Sequence, residues 1–313
     1  MKKRQPRLCY TVEEKQDGMP VKWAVKDQFG LSTRFLRKLK DSDGVWINGK
    51  AVRLIDRVHT GDLVEICFPS EESYIEPEAI PLSILFEDPD LLVLDKQPGV
   101  VVHPTKGHQS GTLLNGILFH MQEQGEQYKP RLVNRLDRDT SGVLAVAKNS
   151  HAQDALSKQM SGDEMEKTYL AVVRGIVERE EFLIDLPIGK EEDHHIHRSV
   201  CAHGDPSRTH VRVLERFPAG YTLVQLRLET GRTHQIRVHM NHLGHPVAAD
   251  PLYGTPHNLP IRGTQAESTL PRQALHSSSI TFRHPVSGES LCFSAPFPAD
   301  LEQFVRGLRL QSR

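Results

Sequence analysis

A charged stretch in the middle of the chain carries the side chains best suited to chemistry. Segment 131–142 contains Arg135, Asp137 and Asp139, and it leads directly into the apolar run 143–147. This pattern predicts a polar loop followed by a buried strand. A carboxylate at such a junction can attack a substrate as a nucleophile, but it can equally cap a helix or pair with a neighbouring cation. The stretch by itself favours a structural role.

A later helix could supply cationic partners for that acid. Residues 230–246 have an apolar stripe at helical spacing, with Thr233 as the expected cap and Gly244 as the expected stop. The stripe consists of Ile236, Met240 and Leu243. Arg232 and Arg237 lie near the start of this predicted helix. Guanidinium groups in these positions can contact a phosphate or hold a carboxylate in its ionised form.

Between these two segments the chain predicts a strand with one polar aromatic side chain. Residues 167–175 alternate in the manner of a strand, and Tyr169 shares a face with Ala171 and Val173. A tyrosine in that setting belongs to the core more often than to a catalytic site.

Two segments resemble, by spacing alone, motifs that bind or transfer phosphate. Segment 44–51 has the spacing of a phosphate-binding loop but places alanine where the hydroxyl that ligates Mg²⁺ belongs, and Asn48-Gly49 in its middle favours a hairpin turn. Segment 137–141 resembles the paired-aspartate motif of Mg²⁺-dependent phosphohydrolases. No apolar strand precedes it, and two neighbouring arginines would compete with Mg²⁺ for the acid. We therefore expect neither site.

Histidines and cysteines raise the question of a metal or a disulfide. The four cysteines lie far apart, which argues against a disulfide framework and against a zinc knuckle. The histidines form two clusters, but neither has a known ligand spacing, so no metal site is predicted. The clusters are His194, His195 and His197, and His234, His239, His242 and His245.

Composition places the chain among ordinary globular proteins, with 313 residues, 38% of them hydrophobic and 25% charged. No run approaches the length of a membrane span and the basic start lacks the apolar core of a signal peptide, so a cytoplasmic protein without a membrane partner is expected. The formal net charge is −1, yet the first 60 residues carry 14 Lys and Arg against 7 Asp and Glu. This asymmetry favours a basic module that meets phosphates, although a solvated basic surface would look the same.

The elements of this basic segment can be predicted individually. A helix is expected over 31–39, a hairpin over 45–52 around Asn48-Gly49, and a strand over 63–68 after Gly61-Asp62. Its candidate RNA-binding residues are Arg34, Arg37, Lys38 and Lys50. From residue 17 to residue 68 this order resembles the small alpha-L RNA-binding motif shared by a ribosomal small-subunit protein and tyrosyl-tRNA synthetase.

These patterns divide the chain into two domains. Residues 1–68 form the expected basic alpha-L RNA-binding domain, and 69–80, rich in Pro, Glu and Ser, form a solvated linker. Residues 81–313 form the second domain, which opens with a hairpin around 87–90. Its strands and helices lack a regular repeat, so an α+β fold with a mixed, largely antiparallel sheet is predicted, including helices over 112–120 and 149–160.

The segments of the second domain together resemble the pseudouridine synthases that modify large-subunit ribosomal RNA, of the RluA/RluD type. The resemblance covers about residues 81–300. It is specific because several unrelated motifs occur in the family's order. They are Arg135-Leu136-Asp137-x-x-Thr140-Ser141-Gly142, Lys167-x-Tyr169, Gly231-Arg232-Thr233-His234-Gln235-Ile236-Arg237-Val238-His239 and Tyr253-Gly254. The sequence departs from the family at Gln97, where proline is common, at Asn134, where histidine is usual, and at Ala249, where glycine is frequent.

The resemblance implies an RNA-modifying isomerase that converts uridine to pseudouridine without a metal or organic cofactor. Asp137 would attack the sugar, Arg237 would pair with Asp137 and keep its pKa low, and Tyr169 would stack on the base and assist proton transfer. The target base must leave its stack, and Arg135 would fill the vacated space. Arg232 and His234 are further RNA-binding candidates.

The expected partner is RNA, either large-subunit ribosomal RNA or transfer RNA, bound by a monomer. The sequence leaves two rival functions. One is an RNA-binding or ribosome-assembly factor that keeps the fold without catalysis. The other is a Mg²⁺-dependent aspartyl phosphohydrolase using Asp137 and Asp139.

Overall fold

The structure is a computed structural model and describes residues 7–40, 42–68, 73–105, 109–191, 197–253, 267 and 270–310. No helix among these residues is long and apolar enough to cross a membrane.

The first part of the chain builds a small sheet with two helices. The four strands pair antiparallel in the order β1-β4-β2-β3. The elements are β1 (Leu8–Thr11), α1 (Val21–Phe29), α2 (Thr33–Lys40), β2 (Val45–Ile47), β3 (Lys50–Ala51) and β4 (Leu63–Ile66), with a 3-10 turn at Glu14–Gln16. A separate apolar core from Leu8 to Ile66 joins the helices to the sheet. We call this part the first unit.

Local sequence explains the turns of the first unit. Asn48 and Gly49 both have positive φ, at 49° and 80°, which is the geometry that a two-residue hairpin requires. Ser32 caps α2, since its hydroxyl accepts the Phe35 N–H at 3.2 Å. Gly30 ends α1 in the left-handed conformation. The predicted helix, hairpin and strand are therefore confirmed, whereas the assignment of this unit as an alpha-L RNA-binding domain stays a prediction.

Residues 73–80 of the predicted linker form neither helix nor strand, and 69–72 lie outside the described residues. The described part is tied to the second unit rather than solvated throughout. The Asn115 side chain donates to the Glu76 carbonyl at 2.8 Å, and the Glu78 carboxylate accepts the Gly111 N–H at 2.9 Å.

The rest of the chain forms the second unit around one ten-stranded sheet. Its main path runs β10-β13-β14-β9-β15-β8-β6-β5, with β16 on β15 and β7 on β8. The pairing is antiparallel except between β15 and β8, so the predicted mixed and largely antiparallel sheet is confirmed. The strands are β5 (Ile84–Glu87), β6 (Leu91–Lys96), β7 (Arg131–Leu132), β8 (Ser141–Ala147), β9 (Glu166–Arg174), β10 (Glu181–Asp185), β13 (Arg208–Phe217), β14 (Tyr221–Leu228), β15 (Leu275–Arg283) and β16 (Ser290–Ser294).

Among the described residues, a small hairpin and four helices with defined ends complete the second unit. The hairpin consists of β11 (Ile188–Lys190) and β12 (Arg198–Val200). The helices are α3 (Leu113–Glu123), α4 (Ser150–Ser161), α5 (Gln235–His242) and α6 (Ala299–Leu310). The predictions for α3 and α4 are confirmed to within three residues, with Thr112 and Asn149 as their caps.

Both faces of the central strands are buried. Along β8, Leu144 and Val146 point into one apolar core, and Val143, Ala145 and Ala147 point into another. Helix α3 covers the first core and α4 covers the second. Each fully buried Leu or Val contributes roughly 1.5–3 kcal/mol. This double burial explains why the run 143–147 is apolar throughout, and it makes β8 a rigid base for the loop that precedes it.

Helix α5 differs from its prediction at its start, whereas Gly244, with φ 82°, follows its last turn in the left-handed conformation and ends it as predicted. The helix begins at Gln235, after His234, and not under a Thr233 cap. His234 has a left-handed backbone, with φ 57°, and its side chain bonds elsewhere instead of capping the helix. Leu243, expected in the apolar stripe, is 40% exposed, while Ile236 and Met240 are buried.

Candidate active site

A cavity of about 410 Å³ lies beside the loop that precedes β8. Loop residues 133–137, the face of β9 and the start of α5 form its walls, because β8 and β9 both pair with β15. All the residues that the sequence assigned to the second unit's site line this one cavity. They are Arg135, Asp137, Tyr169, Arg232, His234 and Arg237.

Arg237 connects the two carboxylates at the centre of the site. Its Nη1 donates to Asp137 Oδ2 at 2.8 Å, while Nε and Nη2 donate to Asp250 at 2.6 and 2.7 Å. The Asp250 side chain is fully buried, and that of Arg237 is 6% exposed. Burial opposes the charge of Arg237, but Asp250 and Asp137 outweigh it and raise the pKa of the guanidinium group. Arg237 is therefore a fixed cation that holds Asp137 at the cavity wall.

His234 faces the other oxygen of Asp137. Its Nε2 lies 3.8 Å from Oδ1, and its Nδ1 lies 2.9 Å from the Tyr253 hydroxyl. That hydroxyl accepts the Arg198 backbone N–H at 3.0 Å, so its own proton is available to His234 Nδ1. With Nδ1 accepting that proton, the neutral ring carries its own proton on Nε2, the nitrogen that faces Asp137 Oδ1. Burial lowers the pKa of His234, which favours the neutral ring at neutral pH.

Tyr169 forms part of the cavity floor and is 6% exposed. Burial raises the pKa of its phenol to about 12, so the hydroxyl keeps its proton at neutral pH. The strand prediction for 167–175 is confirmed by β9. Tyr169 therefore belongs to the core and to the cavity wall at once, which the sequence treated as alternatives.

Lys167 also lines the cavity. The sequence identified it as part of the Lys167-x-Tyr169 motif but predicted no role for it. Its side chain lies two positions before Tyr169 on the same strand, and the residue is 3% exposed. Burial lowers the pKa of its amine. With Arg135, Arg232 and Arg237 it gives the cavity four cationic side chains, against Asp137 as the acid among the described lining residues. Such a balance favours an anionic substrate.

Two buried basic side chains fix the loop from behind, and the sequence did not predict either. Lys96 Nζ donates to the carbonyls of Gln97, Arg138 and Thr140 at 2.8, 2.7 and 2.9 Å. Burial lowers the pKa of Lys96 to about 7. Arg272 donates to the Asp139 carbonyl at 3.1 Å and is itself held by Asp300.

Close backbone contacts position the end of the same loop. Gly142 has φ 106° and pairs with Ser277 of β15, and a Cβ at this position would lie 2.0 Å from the Ser277 carbonyl oxygen. Only glycine fits that approach. Asn134 bonds β8 through its side chain, donating to the Val143 carbonyl and accepting the Ala145 N–H at 3.1 and 2.8 Å. Asn134, a departure from the family pattern, therefore anchors the loop.

The remaining predicted RNA-binding residues lie outside this cavity. Arg34, Arg37, Lys38 and Lys50 all belong to the first unit, on α2 and β3. Arg34 and Lys38 line a different groove, together with Lys129 and Arg131 of the second unit. Asp139 is not among the cavity residues and pairs with Arg138 at 3.1 Å.

The histidine clusters do not gather around one point among the described residues. His239 is buried and bonds Thr209 and the Leu186 carbonyl, and His245 bonds the Arg174 carbonyl. His194, His195 and Gly254 lie outside the described residues. A different group, Asp88, Asp90 and His284, has ligand atoms within 4.8 Å of one another. Its Asp88 oxygens already accept the Asp90 and Leu91 N–H groups and contact His284, which ties the turn between β5 and β6.

Several known proteins are similar to this chain in sequence and in fold. Residues 90–242 match the family described as RNA pseudouridylate synthase. An uncharacterized RNA pseudouridine synthase of Bacillus subtilis, YlyB, is 39% identical over 88% of this chain and 89% of its own length. A ribosomal large subunit pseudouridine synthase D of Xanthomonas campestris is 41% identical over 90% of this chain and 85% of its own. The solved structure of human RNA pseudouridylate synthase domain containing 1 superposes with a TM-score of 0.56 at 28% identity, covering 76% of this chain and 97% of that one.

Proposed function

Because the chain belongs to the RNA pseudouridine synthase family, we propose that it isomerises uridines of large-subunit ribosomal RNA through covalent catalysis by Asp137. The observation that carries this proposal is the pairing of Asp137 with Arg237 at 2.8 Å inside the cavity that Tyr169 also lines. Relatives at about 40% identity are named ribosomal large subunit pseudouridine synthase D, which supports ribosomal RNA as the substrate.

The reaction moves uracil from its N1 to its C5 attachment without losing the base. In the proposed mechanism a carboxylate oxygen of Asp137 bonds to C1′ of the ribose, and the N1–C1′ bond breaks with its electron pair leaving on uracil. The uracil anion turns, C5 attacks C1′, and the bond to Asp137 breaks. Loss of the C5 proton and protonation of N1 complete an isomerisation that consumes no other reactant.

The geometry favours Oδ1 of Asp137 as the attacking atom. Oδ2 is engaged by Arg237 at 2.8 Å, whereas Oδ1 has its nearest charged-group contact with His234 at 3.8 Å. A neutral His234 can orient Oδ1 without removing its charge. Arg237 would hold the carboxylate ionised and stabilise it again when it leaves C1′.

Tyr169 and Arg135 receive the target base in this account. The buried Tyr169 ring offers a flat surface on which a flipped uracil can stack, and its protonated hydroxyl can take part in proton exchange at the base. Arg135 is exposed at the cavity edge, where it can fill the space that the flipped base leaves. Arg232 and His234 would contact the target nucleotide.

The first unit would add affinity rather than chemistry. Its Arg34, Arg37, Lys38 and Lys50 would bind phosphates of the RNA as a basic module over residues 1–68, joined by 69–80 to a catalytic domain over 81–313. A cytoplasmic, monomeric protein suits such a substrate.

The two rival functions fit the site less well. A phosphohydrolase needs Asp137 and Asp139 together, but Asp139 lies outside the cavity lining and Arg237 occupies the position beside Asp137. A non-catalytic RNA-binding protein would not need a buried arginine shared between two carboxylates, because such an arrangement is costly to desolvate.

The proposal is tested by mapping pseudouridine in RNA from cells with and without the gene, together with the purified protein acting on an unmodified large-subunit ribosomal RNA transcript. We expect the same uridines to be modified in both experiments. Gene-dependent pseudouridine found only in transfer RNA would contradict the proposed substrate. If the gene made no difference in cells and the purified protein modified no uridine of the transcript, the proposed function would be contradicted.

A further inference from the structure

A second groove, of about 470 Å³, lies where the first unit meets the second. Helix α2 forms one wall, and α4 with the segment leading into β7 forms the other. Four of its charged side chains are basic, and the one acid among the described lining residues, Asp154, pairs with Lys158 at 3.0 Å. The basic residues are Arg34 and Lys38 of the first unit and Lys129 and Arg131 of the second.

Aromatic contacts hold the two units together beside this groove. The ring of His151, on α4, lies 6.0 Å from that of Phe35 and 5.8 Å from that of Phe68, measured between ring centroids. The Arg7 guanidinium group also donates to the Pro89 carbonyl across the two units. Phe35 follows Arg34 directly on α2, so these contacts fix the cations of α2 opposite those of the second unit.

The four cations of the groove repel one another. Burial and then the charges of Arg131, Arg34 and Lys129 lower the pKa of Lys38. Burial and the charge of Arg34 likewise lower the pKa of Arg131. The cations of the two units therefore act on one another across the groove, and a polyanion between them would relieve that repulsion.

The groove lies close to the active-site cavity, because two segments of the chain line both. On α4, Ser157 lines the groove and Met160 lines the cavity, and the three-residue step between these positions corresponds to an axial rise of about 4.5 Å. Along the strand and loop, Arg131 lies in the groove and Arg135 in the cavity, at most about 14 Å apart. A single strand of nucleic acid can follow this path.

We propose that this groove binds the phosphate backbone of the RNA strand that carries the target uridine, with the two units gripping one continuous segment. The inference rests on the proposed function for the identity of the ligand. It goes beyond it by assigning RNA contacts to Lys129 and Arg131 of the catalytic part and by placing the first unit's Arg34 and Lys38 on the same strand.

The test measures binding of the full-length protein to an unmodified large-subunit ribosomal RNA transcript over a range of KCl concentrations. The double variant Lys129→Ala/Arg131→Ala is expected to bind about 10-fold more weakly, with a salt slope smaller by about two. Arg212→Ala is the matched control, because Arg212 is an exposed cation on β13, near the opposite edge of the sheet, and pairs with Glu181. Its affinity and slope should equal those of the wild type.

Arg131 is half-buried, so the melting temperature of the double variant is measured as well. Should it melt early, Arg34→Ala/Lys129→Ala replaces it, because both of these residues are exposed and one comes from each unit. An unchanged affinity and slope in a variant that melts like the wild type would overturn the proposal. If the variants lost affinity for polyglutamate but kept their affinity for the transcript, the groove would bind an acidic protein partner instead of RNA. That result would also overturn the proposal.

Pseudouridine formation separates this proposal from the function on which it rests. The groove variants should raise KM and leave kcat at saturating RNA unchanged. If the wild-type protein formed no pseudouridine while the variants still lost salt-dependent binding, the function would fail and the groove would stand.

Discussion

Arg237 contacts Asp137 from one corner of its guanidinium group, with Nη1 at 2.8 Å from Oδ2. The opposite edge of the group is bound by Asp250, so the guanidinium plane cannot turn away when substrate enters. This arrangement engages Oδ2 of Asp137, while Oδ1 lies 3.8 Å from His234 Nε2. The position of Asp137, the proposed nucleophile, therefore depends on Asp250, which does not contact it directly.

The first prediction concerns this arginine. Lysine keeps the charge but cannot bind both carboxylates with a planar fork, so Arg237→Lys should lower the rate of pseudouridine formation at least about 100-fold. Single-turnover kinetics on bound RNA checks this. Arg212→Lys, at a side chain that is 64% exposed, is the control and should keep the wild-type rate. A near wild-type rate for Arg237→Lys would show that charge alone suffices.

The second prediction concerns Lys96, which positions the loop. Lys96→Met leaves the carbonyls of Gln97, Arg138 and Thr140 without their buried donor. We expect the free energy of unfolding to fall by about 2 kcal/mol or more, and kcat to fall at least about 10-fold while KM changes little. Urea unfolding and steady-state kinetics measure the two effects. Lys190→Met, at an exposed residue of β11, should alter neither, and an unchanged kcat for Lys96→Met would remove its positioning role.

The third prediction concerns the backbone beside Asp250. Ala249 has φ 54°, a left-handed conformation that costs an alanine roughly 1 kcal/mol. Ala249→Gly should therefore raise the free energy of unfolding by up to about 1 kcal/mol, although the greater freedom of glycine in the unfolded chain offsets part of the gain. Its neighbour Ala248 is buried without positive φ, so Ala248→Gly should destabilise. Equal destabilisation by both changes would contradict the argument from strain.

The fourth prediction concerns pH. Burial lowers the pKa of His151, His239 and His276, which are 7%, 0% and 1% exposed. As the pH falls below about 6.5, the unfolded chain binds protons that the folded chain refuses, so the free energy of unfolding falls. Each histidine can contribute up to about 1.4 kcal/mol per pH unit.

Urea unfolding between about pH 7.5 and about pH 5.5 measures this effect. The carboxylates Glu87 and Glu267, whose folded pKa is lowered, lose their stabilising contribution only when the pH falls below their ordinary value of 4.5, outside this window. A constant or rising free energy of unfolding between pH 6.5 and pH 5.5 would show that these histidines are not buried in the neutral form.

Local patterns were sufficient to predict the elements that carry the site. The apolar run 143–147 predicted a buried strand and Asn48-Gly49 predicted a hairpin, and both elements are present in the structure. The motif order then indicated that Asp137, Tyr169 and Arg237 belong together, and the structure places them in one cavity.

The sequence did not predict the long-range contacts that hold the site together. Asp250 is one of 40 acidic residues, and nothing near it in the chain marks it as the buried partner of Arg237. The acceptors of Lys96 are backbone carbonyls, which every residue possesses. The predicted start of α5 was wrong. His234 bonds Tyr253 and faces Asp137, and these tertiary contacts override the local preference for a Thr233 cap.

The most direct test of Asp137 as the covalent catalyst uses its isosteric variant, Asp137→Asn. Pseudouridine formation releases the hydrogen at C5, so RNA tritiated at that position reports the reaction under single-turnover conditions. Asp139→Asn is the matched control from the same loop and should stay within about threefold of the wild type.

We predict that Asp137→Asn binds the RNA but releases tritium at least about 10³-fold more slowly than the wild type. Release by bound Asp137→Asn at the wild-type rate would contradict the account.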